Sequence, residues 1–357
     1  MRILVLAGDL DRPEVAIFQG LAQRGAQIHV VGALSETPTK TLVRSGISVT
    51  QFAFRSRFDI AGMRLIRRLI AREGCDVIYA VSNRALSTCV LGTLGLKVPI
   101  AAYRGTVGHI SWFDPSSWFT YLNSKVSSIV CVSSAVEEYL AGVGIPRARL
   151  ITIYKGHDPE WYRSQPIPRA SIGVPDEAFV VGCTAVMRAV KGIDDLLEAV
   201  ALLVPEIPSL HVVLVGSIKD PDIQRRVDAF PYPQRLHLTG YRDDATAFAT
   251  LYDVVVLASK SREGFPKSVI EAMAQGVPAV LTAVGGMPEL VNHGKAGLLV
   301  EPSNPAMLAE AIRTLYADPQ LRRTMGEKAR DLIGSTFHVS TTVERMFKEF
   351  SRLAEIP

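Results

Sequence analysis

Cysteine is scarce and scattered in this 357-residue chain: Cys75, Cys89, Cys131 and Cys183 never reach a Cys-x-x-Cys spacing. Neither a zinc site nor a disulfide framework follows from them. Three lie in or beside apolar runs, and all read as buried free thiols. Long hydrophobic runs are lacking as well. The most apolar stretch, 77–103, is interrupted by Asn83-Arg84 and by Lys97-Val98-Pro99, so it reads as strand–helix–strand and not as a membrane span. The opening MRILVLAGDL is too short for the apolar region of a signal peptide and reads as a buried first strand. No Gly-x-Gly-x-x-Gly follows that strand, which disfavours a nicotinamide dehydrogenase. No Asp-x-Asp motif is read as a metal holder, and no carboxylate cluster suggests a divalent site. Short-period repeats and low-complexity segments are missing too. A cytoplasmic protein is the expectation.

What is present suits a folded chain with a substantial core: 48% hydrophobic residues, 21% charged, and a length that fits two domains. The net charge of +4 is uneven. Residues 1–160 hold 18 Lys+Arg against 12 Asp+Glu, or +6, and the remainder holds 21 against 23, or −2. Such asymmetry can point to an anionic partner for the first half. It is too mild to argue nucleic acid, and no nucleic-acid motif accompanies it.

Short Ile- and Val-rich runs alternate with helical patterns. Residues 2–7, 27–31, 48–52, 76–80, 100–103, 128–132 and 149–153 read as buried strands, with helices among them at 13–24, 60–73, 84–94 and 134–142. Such alternation predicts a parallel, doubly wound sheet. The polar segment 155–175 holds four prolines and is the best linker. A second strand series follows at 179–184, 210–215, 235–238, 253–257, 278–281 and 297–300. After a helix at 304–316, a further helical tract runs to the end, with Val343, Met346, Phe347 and Phe350 on one stripe. The predicted class is α/β, with two doubly wound domains at 1–160 and 161–337.

The most informative stretch is 263–289, EGFPKSVIEAMAQGVPAVLTAVGGMPE. Pro266 suits a first helical turn, where its missing N–H would be unpaired anyway. Val269, Ile270, Met273 and Ala274 then recur at helical spacing, so Glu271 rides on a helix while Glu263 sits in the loop before it. If all eight steps between them were helical, the two carboxylates would lie roughly 12 Å apart. That is too far to share one proton and suits two ends of an elongated ligand. A strand, then Gly285-Gly286, then Pro288-Glu289 opening a helix follow, and backbone N–H groups at such a turn form a ready anion site. Carboxylates for hydroxyls and a glycine turn for phosphate point to a sugar nucleotide.

This stretch resembles the glutamate–seven residues–glutamate signature of the family-4 glycosyltransferases (glycosyltransferases group 1), retaining enzymes of the GT-B fold. MRAVKGIDDLLEA (187–199) resembles the family's basic phosphate-binding segment, HLTGYRDD (237–244) its base-contacting loop, and GKAGLLVEP (294–302) the strand and loop after the glycine turn. The likeness covers the second half closely and the first half in outline. It implies two facing Rossmann-like domains, donor in one and acceptor in the other, with the last helix, 338–357, crossing back to the first. It implies a metal-independent, retaining transfer from a nucleotide-diphosphate sugar to a glycan, glycolipid or small acceptor in cell-surface polysaccharide or lipopolysaccharide-type biosynthesis. A UDP-sugar is the commonest donor, with no cofactor besides this co-substrate.

The resemblance also assigns roles. Glu263 would contact donor-sugar hydroxyls, with Gly264, Phe265, Pro266 and Ser268 around sugar and distal phosphate, Phe265 filling a slot behind the loop. Glu271 would hold the ribose, Gly240 and Tyr241 the base, and Gly285 and Gly286 a phosphate. Arg188 and Lys191 would face the diphosphate, whose negative charge grows as the glycosyl bond breaks. A unit charge pair at 4 Å is worth about 4 kcal/mol at an effective dielectric near 20, and preorganised cations need little reorientation.

The first half departs from the family pattern. Gly8-Asp9 stands where relatives carry Gly-Gly, and Arg104-Gly105-Thr106 where they carry His-Gly. Arg104 and His109 are the acceptor-side candidates: His109 to replace the missing histidine, with a structural or solvated role left open, and Arg104 to bind a phosphate or carboxylate on donor or acceptor. Trp112, Phe113, Trp118 and Phe119 suit sugar stacking, a lipid interface or core packing. Arg64, Arg67, Arg68 and Arg72 make 60–73 either a helix on an anionic membrane surface or the solvated face of a core helix. A sugar-nucleotide epimerase on the same fold and a non-catalytic sugar-nucleotide-binding protein are the competing readings.

Overall fold

The inner Ile/Val runs become strands buried on both faces, as parallel sheets covered by helices require, while the edge strands at 48–51, read from the sequence as buried, and at 236–240 stay half-buried or exposed. In the computed structural model, which describes residues 1–163 and 165–355, RILVL forms β1 (Arg2–Leu6), followed by β2 (Gln27–Gly32), β3 (Ser48–Gln51), β4 (Val77–Ala80), β5 (Ile100–Arg104), β6 (Val126–Cys131) and β7 (Leu150–Thr152). They pair in parallel in the order β3-β2-β1-β4-β5-β6-β7. A second parallel sheet holds β8 (Phe179–Thr184), β9 (Leu210–Val215), β10 (Leu236–Gly240), β11 (Val254–Leu257), β12 (Ala279–Thr282) and β13 (Gly297–Val300) in the order β10-β9-β8-β11-β12-β13. The predicted α/β class with two doubly wound sheets is what the chain forms.

The chain divides into two compact units, Met1–Gly156 with the tract from Val339 onward, and His157–His338. The division falls four residues before the 160/161 boundary read from the sequence. In the first unit the helix Val339–Ala354 buries Val343, Met346, Phe350 and Leu353 in the same core as Phe18, Leu21 and Tyr79. The Phe350 ring lies 5.2 Å from that of Tyr79. Thr342 ties this helix to the end of β7: its hydroxyl donates to Tyr154 O at 2.8 Å and accepts from Gly156 N–H at 2.9 Å.

Two elements differ from expectation. The helical tract after 316 is two helices, Pro319–Gly334 and Val339–Ala354. Gly334 ends the first, and Phe337 then turns inward onto Phe265, with ring centroids 5.0 Å apart. A further helix, Glu36–Arg44, lies outside the sequence-predicted set because it buries only Leu42, too little for a periodic signal.

Candidate active site

In the second sheet β8 and β11 are neighbours, while the chain after β8 runs to β9 and the chain after β11 runs to β12. That is a topological switch point, where open α/β sheets bind ligands beyond the carboxyl ends of their strands. The segments leaving β8, β11 and β12 carry the residues expected to work.

After β8 the chain bridges to the segment following β9 through Met187 N–H to Ser217 O, 2.9 Å, and Lys219 N–H to Met187 O, 3.0 Å. Ala189 N–H donates to Asp220 Oδ2 at 3.0 Å. A short turn, Ala189–Lys191, ends at Gly192 (φ 63°). A Cβ on Gly192 would stand 1.9 Å from Ala258 O, so only glycine lets this loop lie against the end of β11. Arg188 opens the turn and is exposed. Lys191 points inward and bonds Glu263 Oε1.

Glu263 is only 8% exposed. Ser259, fully buried just beyond β11, donates its hydroxyl to the same Oε1 at 2.7 Å. Thr282 at the end of β12 fixes the Ser259 backbone by donating to its carbonyl at 2.6 Å. Arg262, immediately before Glu263, has φ 66°, a strained conformation for a residue with a side chain. Gly285 has φ 56°, and a Cβ there would lie 1.8 Å from Glu263 O. The Glu263 loop is thus clamped by a buried serine, a lysine and a glycine from three adjacent strands. Beneath it, burial pushes the Cys183 thiol up to about 12, so this cysteine is inert despite the nearby Lys191.

The remaining expectations fall as follows. Glu271 rides on the helix Lys267–Ala274, half-buried, with Lys267 Nζ 3.6 Å from its Oε1. Pro266 is the residue before that helix, Ser268 lies in its first turn, and Gly264 is buried. Phe265 does pack behind the loop, against Phe337. Gly240 (φ 67°) and Tyr241 lie exposed at the end of the edge strand β10. The anion turn at Gly285-Gly286 is less open than its sequence suggests. Gly286 N–H donates to Glu263 O at 3.3 Å and Met287 N–H to Val284 O at 3.2 Å, and the helix Met287–Val291 has five residues. Here glycine serves close packing more than N–H display.

Sequence reasoning missed Lys260. Its ammonium lies 2.7 Å from Asp194 Oδ2 and 3.3 Å from Asp195 Oδ1, in the first turn of the helix Ile193–Leu203. Burial, and then Asp194, raise the Asp195 carboxyl above its usual range. Lys260 therefore offsets two carboxylates close to the Lys191–Glu263 pair. The signal was a polar Ser-Lys-Ser-Arg-Glu run directly after a buried strand. As a string, Asp-x-Asp does occur twice. Asp9 accepts from Ser35 N–H at 2.9 Å, and Asp11 caps the helix Arg12–Gln23 and pairs with Lys155 at 3.1 Å. Asp220 caps the helix Pro221–Asp228, and Asp222 pairs with Arg225.

In the first unit a cavity of about 570 Å³ lies beyond β4 and β5, lined by Asn83, Arg104, His109, Asp114 and Tyr121 among others. Arg104 is 5% exposed, and its guanidinium is engaged by its own loop: Nε donates to Thr106 O at 2.8 Å, Nη2 donates to Gly108 O, and the Tyr121 ring lies beneath it at 5.1 Å. His109 sits in the left-handed region, φ 64°. Gly8 precedes Asp9, whose Oδ1 also accepts from Leu10 N–H and from the Ser35 hydroxyl. Arg104 and Asp9 thus hold their own loops.

Residues 164–332 match the family described as Glycosyl transferases group 1, and residues 15–161 the one described as Glycosyltransferase Family 4. N-acetyl-alpha-D-glucosaminyl L-malate synthase of Bacillus anthracis is 24% identical over 341 residues, covering 91% of this chain and 89% of its own. The putative glycosyltransferase EpsD of Bacillus subtilis is 30% identical over 240 residues, covering 65% and 62%. Among solved structures, a glycosyltransferase of Rickettsia africae superposes with a TM-score of 0.85 at 20% identity, covering 100% of this chain and 99% of that one. Anabaena HepE, in complex with UDP-glucose, gives 0.79 at 22% identity, covering 99% and 100%. The fold is GT-B, a glycosyltransferase architecture. The chain belongs to the family-4 glycosyltransferases.

Proposed function

We propose that the protein is a retaining, metal-independent glycosyltransferase that moves a sugar from a nucleotide-diphosphate sugar, a UDP-sugar first of all, to a hydroxyl of a glycan or glycolipid. The observation that carries the reading is the clamped Glu263 at the switch point, with Lys191 on one carboxylate oxygen. Ser259 and Lys191 both address Oε1. Among the described residues Oε2 has no partner, and we assign it to a donor-sugar hydroxyl. Arg188 and Lys191 take the diphosphate, Glu271 the ribose, and the Gly240–Tyr241 loop the base.

In the transfer, the acceptor oxygen forms a bond to the anomeric carbon on the face from which the diphosphate departs. The bond from that carbon to the phosphate oxygen breaks, and the leaving oxygen takes the acceptor proton. No separate base is then needed, and the cations serve the leaving group, where charge develops. HepE binds UDP-glucose on the same fold, which supports the choice of donor. The test is to incubate the protein with UDP-, GDP- and ADP-sugars and follow slow release of nucleoside diphosphate, with the product anomer read by NMR. Release from one donor with retained configuration is expected. An inverted product would remove the retaining mechanism, and no release from any donor would remove the reading.

A further inference from the structure

Two neighbouring segments of the first unit hold large apolar side chains out in water. Phe113 is 97% exposed, Ile60 60% and Phe58 54%, and Trp112 and Trp118 are exposed too. The segments touch: the Phe58 and Phe119 rings lie 5.2 Å apart, and Arg57 lines the same cavity as Ser111, Asp114 and Ser117. A cluster of this kind marks an interaction surface.

Its rings are displayed and not merely loose. Phe113 N–H donates to Ser111 Oγ at 3.2 Å and Asp114 N–H to Ser111 O at 3.1 Å. Asp114 then caps the short helix Pro115–Trp118, accepting from Ser116 N–H at 3.0 Å. Both indole N–H groups are satisfied by backbone, Trp112 by Val143 O at 2.5 Å and Trp118 by Trp112 O at 2.9 Å. Neither indole N–H is left to face outward, and Phe113 itself stands almost wholly in water. The shape suits an extended apolar phase.

The charge says which one. Ile60 opens the helix Ile60–Glu73, and positions 60, 64 and 67 share one side of it. Arg64 and Arg67 therefore continue the Ile60 stripe, with Arg68 beside them, all exposed; Arg67 Nη2 donates to Leu94 O at 2.6 Å, which leaves Arg64 and Arg68 to face outward. Ile66 and Leu69 are buried in the protein, so the helix cannot lie on a membrane by that apolar side, as one sequence reading had it. What it offers is a row of guanidinium groups next to aromatic tips.

We propose that this face docks on an anionic lipid bilayer, with Phe113 and Phe58 entering below the headgroups and Arg57, Arg64 and Arg68 at the phosphates. Docked so, the 570 Å³ cavity beside it stands at headgroup level, and the acceptor is a membrane-resident lipid with a polar head. The acceptor clause rests on the glycosyltransferase reading; the docking does not.

Flotation with vesicles of phosphatidylcholine, with and without phosphatidylglycerol, at low and high salt, tests this on the full chain. The parent is expected to float with anionic vesicles at low salt and much less at high salt. Phe113→Ser should weaken binding roughly tenfold, and the double variant Arg64→Glu, Arg68→Glu by about a hundredfold. These side chains are exposed, so thermal melting and acceptor-free donor hydrolysis should match the parent in both variants. Absent vesicle binding by the parent overturns the proposal. So does equal binding to neutral vesicles, or variants that bind like the parent. A concentration-dependent dimer dissolved by Phe113→Ser, without vesicle binding, would put a second copy in place of lipid. Docking without any donor turnover would strike the glycosyltransferase reading and leave the docking standing.

Discussion

One carboxylate oxygen, Glu263 Oε1, receives both the Ser259 hydroxyl and the Lys191 ammonium. The two residues assigned to sugar and diphosphate therefore form one unit before any donor arrives, and their effects on catalysis should not be independent. Glu263→Gln and Lys191→Ala should each lower kcat about tenfold or more, and the double variant should fall well short of the product of the two losses. Steady-state donor hydrolysis on all four proteins measures this; fully multiplicative losses would mean that the pair acts separately. Glu263 was legible because its spacing to Glu271 and the glycines around it form a pattern in one contiguous stretch. Lys260 was not, since its partners, Asp194 and Asp195, meet it only once β8 and β11 lie side by side, and Ser259 reaches Glu263 only through the turn of the loop between them. Arg104 shows the opposite limit. Its residue type suggested anion binding, yet its guanidinium is held by Thr106 and Gly108.

At the scale of elements, β9 and β10 are joined by a chain of hydrogen bonds that only neutral histidines complete. Arg235 Nη1 donates to His211 Nε2 at 2.7 Å, His211 Nδ1 to His237 Nε2 at 2.8 Å, and His237 Nδ1 to Ile172 O at 2.9 Å. Burial first, then His237 and Arg235, push His211 down from 6.5 to about 4. Burial lowers His237 as well. Between those values the unfolded chain binds more protons than the folded one, so stability rises with pH there. This contribution is complete above about 6.5 and fades as pH falls towards about 4, with a slope of at most about 1.4 kcal/mol per pH unit for one histidine. Denaturant midpoints across that range should fall with acid, and His211→Gln should flatten the slope while lowering stability at neutral pH. An unchanged slope would show that the chain of histidines is not the sensor. The strands were readable because burial on both faces demands unbroken Ile and Val. The break between Pro319–Gly334 and Val339–Ala354 was not, because Phe337 is apolar and the tract around it keeps a helical look.

For the whole molecule, the charge asymmetry is sharper over the two units than over the sequence halves, +8 for residues 1–156 with 339–357 against −4 for 157–338. The stripe of Val343, Met346 and Phe350 marked the last helix in the sequence, its return was implied only by the family resemblance, and the structure buries those residues in the first unit. With the diphosphate assigned to Arg188 and Lys191, turnover should survive excess EDTA; complete loss restored by magnesium or manganese would contradict that assignment. The central claim is that the carboxyl ends of β8, β11 and β12 hold a sugar nucleotide. Titration calorimetry of UDP and UDP-sugars into the parent, Lys191→Ala and Glu271→Gln tests it most directly. Saturable binding is expected, weakened about tenfold or more in each variant, with Lys191→Ala also acting on UDP alone. Parent protein that binds no nucleoside diphosphate or its sugar, or variants that bind as tightly as the parent, would contradict the account.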